Sequence, residues 1–343
     1  MTLRTYVISR ILLTIPMIFI LLTMVFLIIR VLPGDPVLLH FEKMENPQAM
    51  EAMRHNLGLD KPLWIQYFDY VGGIFSGNLG KSMQDYSPVA QQIFSAFPAT
   101  LELAIFSMII AVSIGIFLGV EASKAYNKPQ DHAIRVFGII TYAIPVFFLG
   151  MIFQMVFGVG LHLLPVGGRI YPTMEPLGLN IGNFHFSTGL YTVDSLLEGS
   201  IFKFVESLRY LLLPSLTLGL VLCGVFIRLT RSNMFETMRL DFVTAARARG
   251  LKERTVTYSY ALRNAFLPVL TMMGLEFAML LAGAVLTETT FSWPGLGRYI
   301  VDRINFRDYT AIQGAVVVFG IFVSIVSLAV DLLYAYLDPR IRL

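Results

Sequence analysis

Asp241-Phe-Val-Thr-Ala-Ala-Arg-Ala-Arg-Gly250 is a short, partly charged passage in a chain that is otherwise mostly apolar. It sits inside a basic segment, residues 230–264, between two long apolar runs. At helical spacing Met238, Phe242, Ala245 and Ala246 fall at i, i+4, i+7 and i+8 and share one face. Arg239, Arg247 and Arg249 lie off that face or at its edge. Alanines let a partner approach closely, and Gly250 is suited to ending a helix in the left-handed region. Such a helix is either a docking surface for something outside the membrane or an amphipathic element resting on anionic lipid. Spacing alone leaves both open.

The rest of the chain sets the context. Of its 343 residues 56% are hydrophobic and only 14% charged, with mean hydropathy +0.68. Soluble domains carry roughly 25% charged residues, so an all-α integral membrane protein is expected. The net charge of +3 is small and scattered and gives no footprint for nucleic acid. The single cysteine, Cys223, closes no intrachain disulfide and builds no thiolate metal site. The five histidines are dispersed without ligand spacing, so no metal is assigned.

A bilayer core needs roughly 20 apolar residues per helix. Windows at 11–29, 98–120, 134–159, 211–229, 267–286 and 312–337 satisfy this and predict six spans. The first run is too long for a signal-peptide core and lacks a small-residue cleavage site, so it reads as a retained span. An even number of spans puts both termini on one side. Lysine and arginine gather at 4 and 10, at 124 and 128, through 228–263 and at 340 and 342. The positive-inside rule therefore makes the termini and segment 230–264 cytoplasmic. Segments 31–97 and 160–210 then face outside, and the chain divides into 1–30, 31–97 and a core, 98–343. The outer segments read as ordered: residues 56–80 hold Trp64, Tyr67, Phe68, Tyr70 and Phe75 between glycines.

The quoted passage is similar to the EAA loop of ABC importer permeases, Glu-Ala-Ala-x-x-x-Gly, here Thr244-Ala-Ala-Arg-Ala-Arg-Gly250. With Ala261-Leu-Arg-Asn-Ala-Phe-Leu-Pro268 it resembles the dipeptide/oligopeptide branch more closely. Pro33-Gly-Asp-Pro36, Leu57-Gly-Leu-Asp-Lys-Pro62 and Gly77-Asn-Leu-Gly80 resemble the same branch. So do Leu164-Pro-Val-Gly-Gly-Arg169, Asp194-Ser-Leu-Leu197, Phe291-Ser-Trp-Pro-Gly-Leu-Gly297 and Asp338-Pro-Arg340, in order along almost the whole length.

The resemblance implies a type I ABC importer permease fold in the cytoplasmic membrane. It implies a second homologous permease completing the pore, one or two ABC ATPase subunits below it, and an external solute-binding protein above. ATP and magnesium would be held by the ATPase partners, with no cofactor on this chain. Asp241, Phe242, Thr244, Ala245, Ala246, Arg247, Arg249 and Gly250 would form the coupling helix seated in an ATPase groove. Ala246 and Gly250 would make the closest approaches. Thr244 stands where the general motif has Glu, so a salt bridge from that position is absent here. Cargo in the branch is mostly di- or oligopeptide, with oligosaccharides or nickel in some members.

Outside the resemblance, charged groups within spans point to function or pairing. Glu276 and, more weakly, Gln154 are candidates for the translocation pathway. Glu102 and Asp331 lie nearer span ends, where structural pairing is expected. Met272, Met273 and Met279 read as packing. Pro33-Gly-Asp-Pro36 and Trp293-Pro-Gly-Leu-Gly297 read as rigid turns, with Trp293 an interfacial anchor or, failing that, a contact for the binding protein.

No phosphate-binding Gly-x-x-x-x-Gly-Lys-Ser/Thr loop and no hydrolase elbow or metalloprotease helix occurs in the sequence. The chain is therefore expected to be a non-enzymatic subunit. An ion-coupled secondary transporter is the competing reading, and it would need titratable midplane groups on repeated broken helices.

Overall fold

The computed structural model describes residues 3–31, 47–56, 58–174, 177–181, 184–281 and 284–337. Pro33-Gly-Asp-Pro36 and Asp338-Pro-Arg340 lie outside them, as does the side chain of Asp331. Thirteen helices are described: α1 (Leu3–Val31), α2 (Pro47–Asn56), α3 (Leu63–Phe75), α4 (Val89–Lys124), α5 (Pro129–Ala143), α6 (Val146–Gly160), α7 (Tyr191–Leu197), α8 (Ile201–Thr237), α9 (Asp241–Ala248), α10 (Glu253–Leu281), α11 (Val285–Thr290), α12 (Leu296–Asn305) and α13 (Tyr309–Leu337). A three-residue antiparallel pair, β1 (Leu179–Ile181) and β2 (Phe184–Phe186), is the one sheet among the described residues.

Five helices, α1, α4, α8, α10 and α13, are each long and apolar enough to cross a bilayer. The expected third span, 134–159, is not one straight helix. α5 and α6 meet at an angle of 98°. The cause is Pro145: it has no N–H to donate and forces the residue before it out of the helical region. Ile144 accordingly takes φ −72°, ψ 127°. The far end of α6, Gln154–Gly160, is wound as a π-helix. Counted as one broken crossing, α5 and α6 complete six spans.

Several helices outrun their apolar windows. α4 and α8, with 36 and 37 residues, are each about 54–56 Å long at 1.5 Å per residue, against a core of about 30 Å. The fifth span corrects the other way: α10 ends at Leu281, and Leu286 belongs to α11.

The α4–α8 pair is the centre of the bundle. Gly115 and Gly119, one turn apart on α4, face Phe226 and Thr230 on α8. A Cβ on Gly115 would lie 2.3 Å from the Phe226 Cβ, and one on Gly119 would lie 2.6 Å from that of Thr230. This is the small-x-x-x-small logic of membrane helices, in which missing side chains let backbones close up. Leu103, Met108, Ala111, Leu211, Leu218 and Phe226 fill the core around the crossing. α5 meets α8 in the same way, with the Gly224 backbone against Gly138. α1 lies outside this core and packs on α13 through Leu22, Val25 and Val317.

Candidate functional site

The quoted passage forms helix α9, with Leu240 extended before it and Asp241 in its first turn. An acid at the start and Arg247 in the last turn both suit the helix dipole. The helix stops as expected. Arg249 and Gly250 donate their N–H groups to the carbonyls of Ala245 and Arg247, and Gly250 takes φ +75°. Arg247 clamps Glu253 at the start of α10 through two hydrogen bonds, 3.2 Å from Nε and 2.6 Å from Nη2.

The face expected from spacing does not hold together. Val243 and Ala246 point inward, into a cluster with Val120, Met234, Val256, Ala261 and Ala265, and Met238 packs against it. Phe242 and Ala245 point outward. The reason is that Met238 closes α8, and α9 begins afresh at Asp241. Ala246 is therefore corrected: it fixes α9 to its own spans and is 3% exposed, so no partner can approach it closely. The outward set is Asp241, Phe242, Thr244, Ala245, Arg247, Arg249 and Gly250. These seven residues stand on a packed seat built by α4, α8 and α10.

Next to that seat, Arg231 of α8 grips Asp131 of α5 with two bonds of 2.6 and 2.7 Å. Tyr126 stacks on Phe235 at 4.0 Å, and the Arg239 guanidinium lies 3.9 Å above the Phe235 ring. A Glu121–Tyr258 hydrogen bond of 3.0 Å joins α4 to α10, which is wound as a π-helix over Val256–Ala261.

At the opposite ends of the spans, the Gly/Pro-rich motifs converge on the start of α4. Glu102 is buried and accepts from Arg169 Nη2 (2.6 Å) and Nε (3.1 Å), and from the N–H and hydroxyl of Thr192. The Arg169 guanidinium also lies 3.8 Å above the Tyr191 ring. Asp194 caps the turn at Ser187, Thr188 and Gly189. The expectation that Glu102 is paired holds, whereas Trp293 is corrected. It is fully buried and donates from Nε1 to the Ala99 carbonyl at 2.8 Å, so it neither anchors at the interface nor meets a partner.

Glu288 explains the glycines beside Trp293. Its carboxylate accepts from the Thr100 hydroxyl (2.7 Å) and from the Arg298 N–H (3.0 Å) at the start of α12. A Cβ on Gly295 or Gly297 would lie 2.4 or 2.9 Å from that carboxylate. Burial pushes the Glu288 carboxyl up from its ordinary value, opposed by the Thr100 hydroxyl and the backbone N–H groups of Arg298 and Gly297. Asp308 is the matching buried acid at the start of α13: it accepts the Ser82 hydroxyl and the Met83 and Ala311 N–H groups. In the sequence Glu288 and Asp308 stand among the arginines Arg298, Arg303 and Arg307, which they offset in charge. Their spacing to Gly and Ser gave no sign that they cap helices from within.

The two pathway candidates differ. Gln154 is committed: its amide donates to the carbonyls of Val166 (2.6 Å) and Thr290 (3.0 Å), fastening the π-helix to the loop and to α11. Glu276 is half-buried and makes no hydrogen bond or ion pair among the described residues. It adjoins an exposed stripe of α10 made by Asn264, Pro268, Leu275 and Met279. Met272 and Met273 pack as expected, but Met279 is exposed.

The comparisons agree with this architecture. Residues 111–343 match the family described as binding-protein-dependent transport system inner membrane component, and residues 3–104 match its N-terminal part. The di/tripeptide transport system permease protein DppB of Pseudomonas aeruginosa is 40% identical over 341 residues, 98% of each chain. The dipeptide transport system permease protein DppB of Escherichia coli K12 is 38% identical over 338 residues, again 98% of each. The glutathione transport system permease protein GsiC of Salmonella choleraesuis is 36% identical over 337 residues, 98% of each. The chain is a multi-pass, non-catalytic membrane subunit and belongs to the family of binding-protein-dependent transport system inner membrane components.

Proposed function

We propose that this chain is one of two pore-forming permeases of an ATP-driven importer for di- or oligopeptides, with both termini in the cytoplasm. The observation that carries this reading is the near-complete alignment with permeases named for dipeptide transport, joined to a solvent-facing α9 on a packed seat. The outward residues Asp241, Phe242, Thr244, Ala245, Arg247, Arg249 and Gly250 dock a cytoplasmic ATPase, with Ala246 supporting them from beneath. A second, homologous permease covers the open stripe of α10. A solute-binding protein delivers cargo to the latch around Glu102, Arg169 and Glu288. ATP closes the ATPase pair, α9 moves with it, and α4, α8 and α10 follow as one body. Oligosaccharide or nickel cargo has no observation in its favour here.

Glu276 lies on the pathway, where an unpartnered carboxylate can meet the ammonium end of a passing peptide. Glu276→Gln is expected to reduce uptake in proteoliposomes at least tenfold while the ATPase still co-purifies at parental stoichiometry. Loss of ATPase binding in that variant would instead make Glu276 an assembly contact. An ion-coupled carrier is disfavoured because the broken α5–α6 span has no broken counterpart among the described spans.

A further inference from the structure

Helix α3 has three faces, and the fold accounts for two of them. At 3.6 residues per turn, Gln66, Tyr67, Tyr70 and Ile74 form the face packed on the protein. The Tyr67 hydroxyl is 2.7 Å from that of Thr23, and its ring lies 5.3 Å from Phe26. The Tyr70 ring lies 5.6 Å from Phe26, and Tyr70 and Ile74 pack on the cluster of Leu22, Val25 and Val317. About a third of a turn further round come Asp69, Gly72 and Gly73, with Asp69 exposed and bonded to Lys61 at 2.7 Å. The third face holds Trp64, Phe68, Val71 and Phe75 at i, i+4, i+7 and i+11. Its three aromatic side chains are 65%, 69% and 69% exposed.

Three large aromatics in one exposed row form a patch that water does not favour. What covers them is shown by what they adjoin. The Phe75 ring is 6.0 Å from that of Phe19 on α1. Phe19 belongs to an open apolar surface with Ile20, Met24, Leu27 and Ile28. α1 is the least buried of the spanning helices, so that surface is a lipid-facing one. Phe26, Thr23 and Phe19, which meet α3, are about 8, 12 and 18 Å from the Val31 end of α1 by helix rise. α3 thus slopes into the apolar zone toward its Phe75 end.

We infer that α3 is a lipid-covered helix that enters the leaflet at the Val31 end of α1 and slopes inward toward Phe75. Protein is on one face. Acyl chains and the headgroup boundary cover Trp64, Phe68, Val71 and Phe75. Asp69 and Lys61 remain in headgroup water. Trp is the residue type enriched at that boundary. α3 therefore fixes the height at which the chain leaves the bilayer toward Gly80 and α4. This placement needs only that α1 spans the membrane and does not depend on cargo or partners.

The test is depth-resolved spin labelling of the chain purified with its native partners and placed in vesicles of phosphatidylethanolamine and phosphatidylglycerol. Cys223→Ser leaves the chain without other thiols, and a nitroxide is attached at Phe68→Cys, Trp64→Cys or Asp69→Cys in turn. The expected result is that labels at 64 and 68 are relaxed by dissolved oxygen and shielded from a water-soluble nickel chelate. The label at 69 shows the reverse, although it is the next residue in sequence. Equal access of the chelate to 68 and 69 overturns the inference. So does a label at 68 shielded from both reagents until the solute-binding protein is washed away, because the stripe would then be a protein-docking surface.

Discussion

Ala245 and Ala246 are neighbours with opposite duties, and a glutamate at each separates seat from surface. Ala246→Glu drives a charge into the cluster of Val120, Met234 and Val256 with no partner there. The loss should be about 3 kcal/mol or more, seen as a lower thermal unfolding temperature in detergent. Ala245→Glu, on the outward face, should change stability by less than about 0.5 kcal/mol yet abolish ATP-dependent uptake. At Gly250 the cost of a side chain is purely of the backbone. Nothing lies within 4 Å of an added Cβ, but φ is +75°. Glu288 gives a pH signature. Its carboxyl is raised by burial, so the folded state holds a proton that the unfolded state releases near pH 4.3. Stability is full below that value and falls as pH rises through the raised one. Glu288→Gln should flatten this slope in unfolding measured against pH; an unchanged slope would place the titration elsewhere.

Among the elements, the α4–α8 crossing has little room for added volume. Gly115→Ala would place a methyl group 2.3 Å from the Phe226 Cβ, with α8 backbone close behind it. Separating the helices enough to accept it should cost about 1–3 kcal/mol, measured as a lowered denaturation midpoint. Five of the six spans were legible from apolar length alone, because a bilayer imposes that length on any helix that crosses it. The broken third span was not read, although Pro145 stands within 134–159 and carries the reason. Gly115-x-x-x-Gly119 likewise carries its close crossing in spacing rather than in composition. The expected face of α9 fails for a different reason: spacing from Met238 crosses a helix boundary that only the extended Leu240 reveals.

For the whole molecule, sequence order proved informative where local chemistry did not. The motifs 164–169, 194–197 and 291–297, linked in the sequence only by their resemblance to one branch, meet around Arg169, Trp293 and Glu102 of α4. No periodicity links residues so far apart, so the pairing of Glu102 with Arg169 could only come from the fold. Buried packing and hydrogen bonds tie the helices together at both ends. α9 and its seat close one end, and the Glu102–Glu288 latch closes the other.

The central claim is that α9 docks an ATPase beneath a peptide importer. Native mass spectrometry of the chain, affinity-purified in mild detergent from its own membranes, tests it most directly. The account predicts a complex holding a second permease and one or two nucleotide-binding subunits, which Ala245→Glu strips of the nucleotide-binding subunits alone. The chain found by itself, or only with copies of itself and no nucleotide-binding partner, would contradict it.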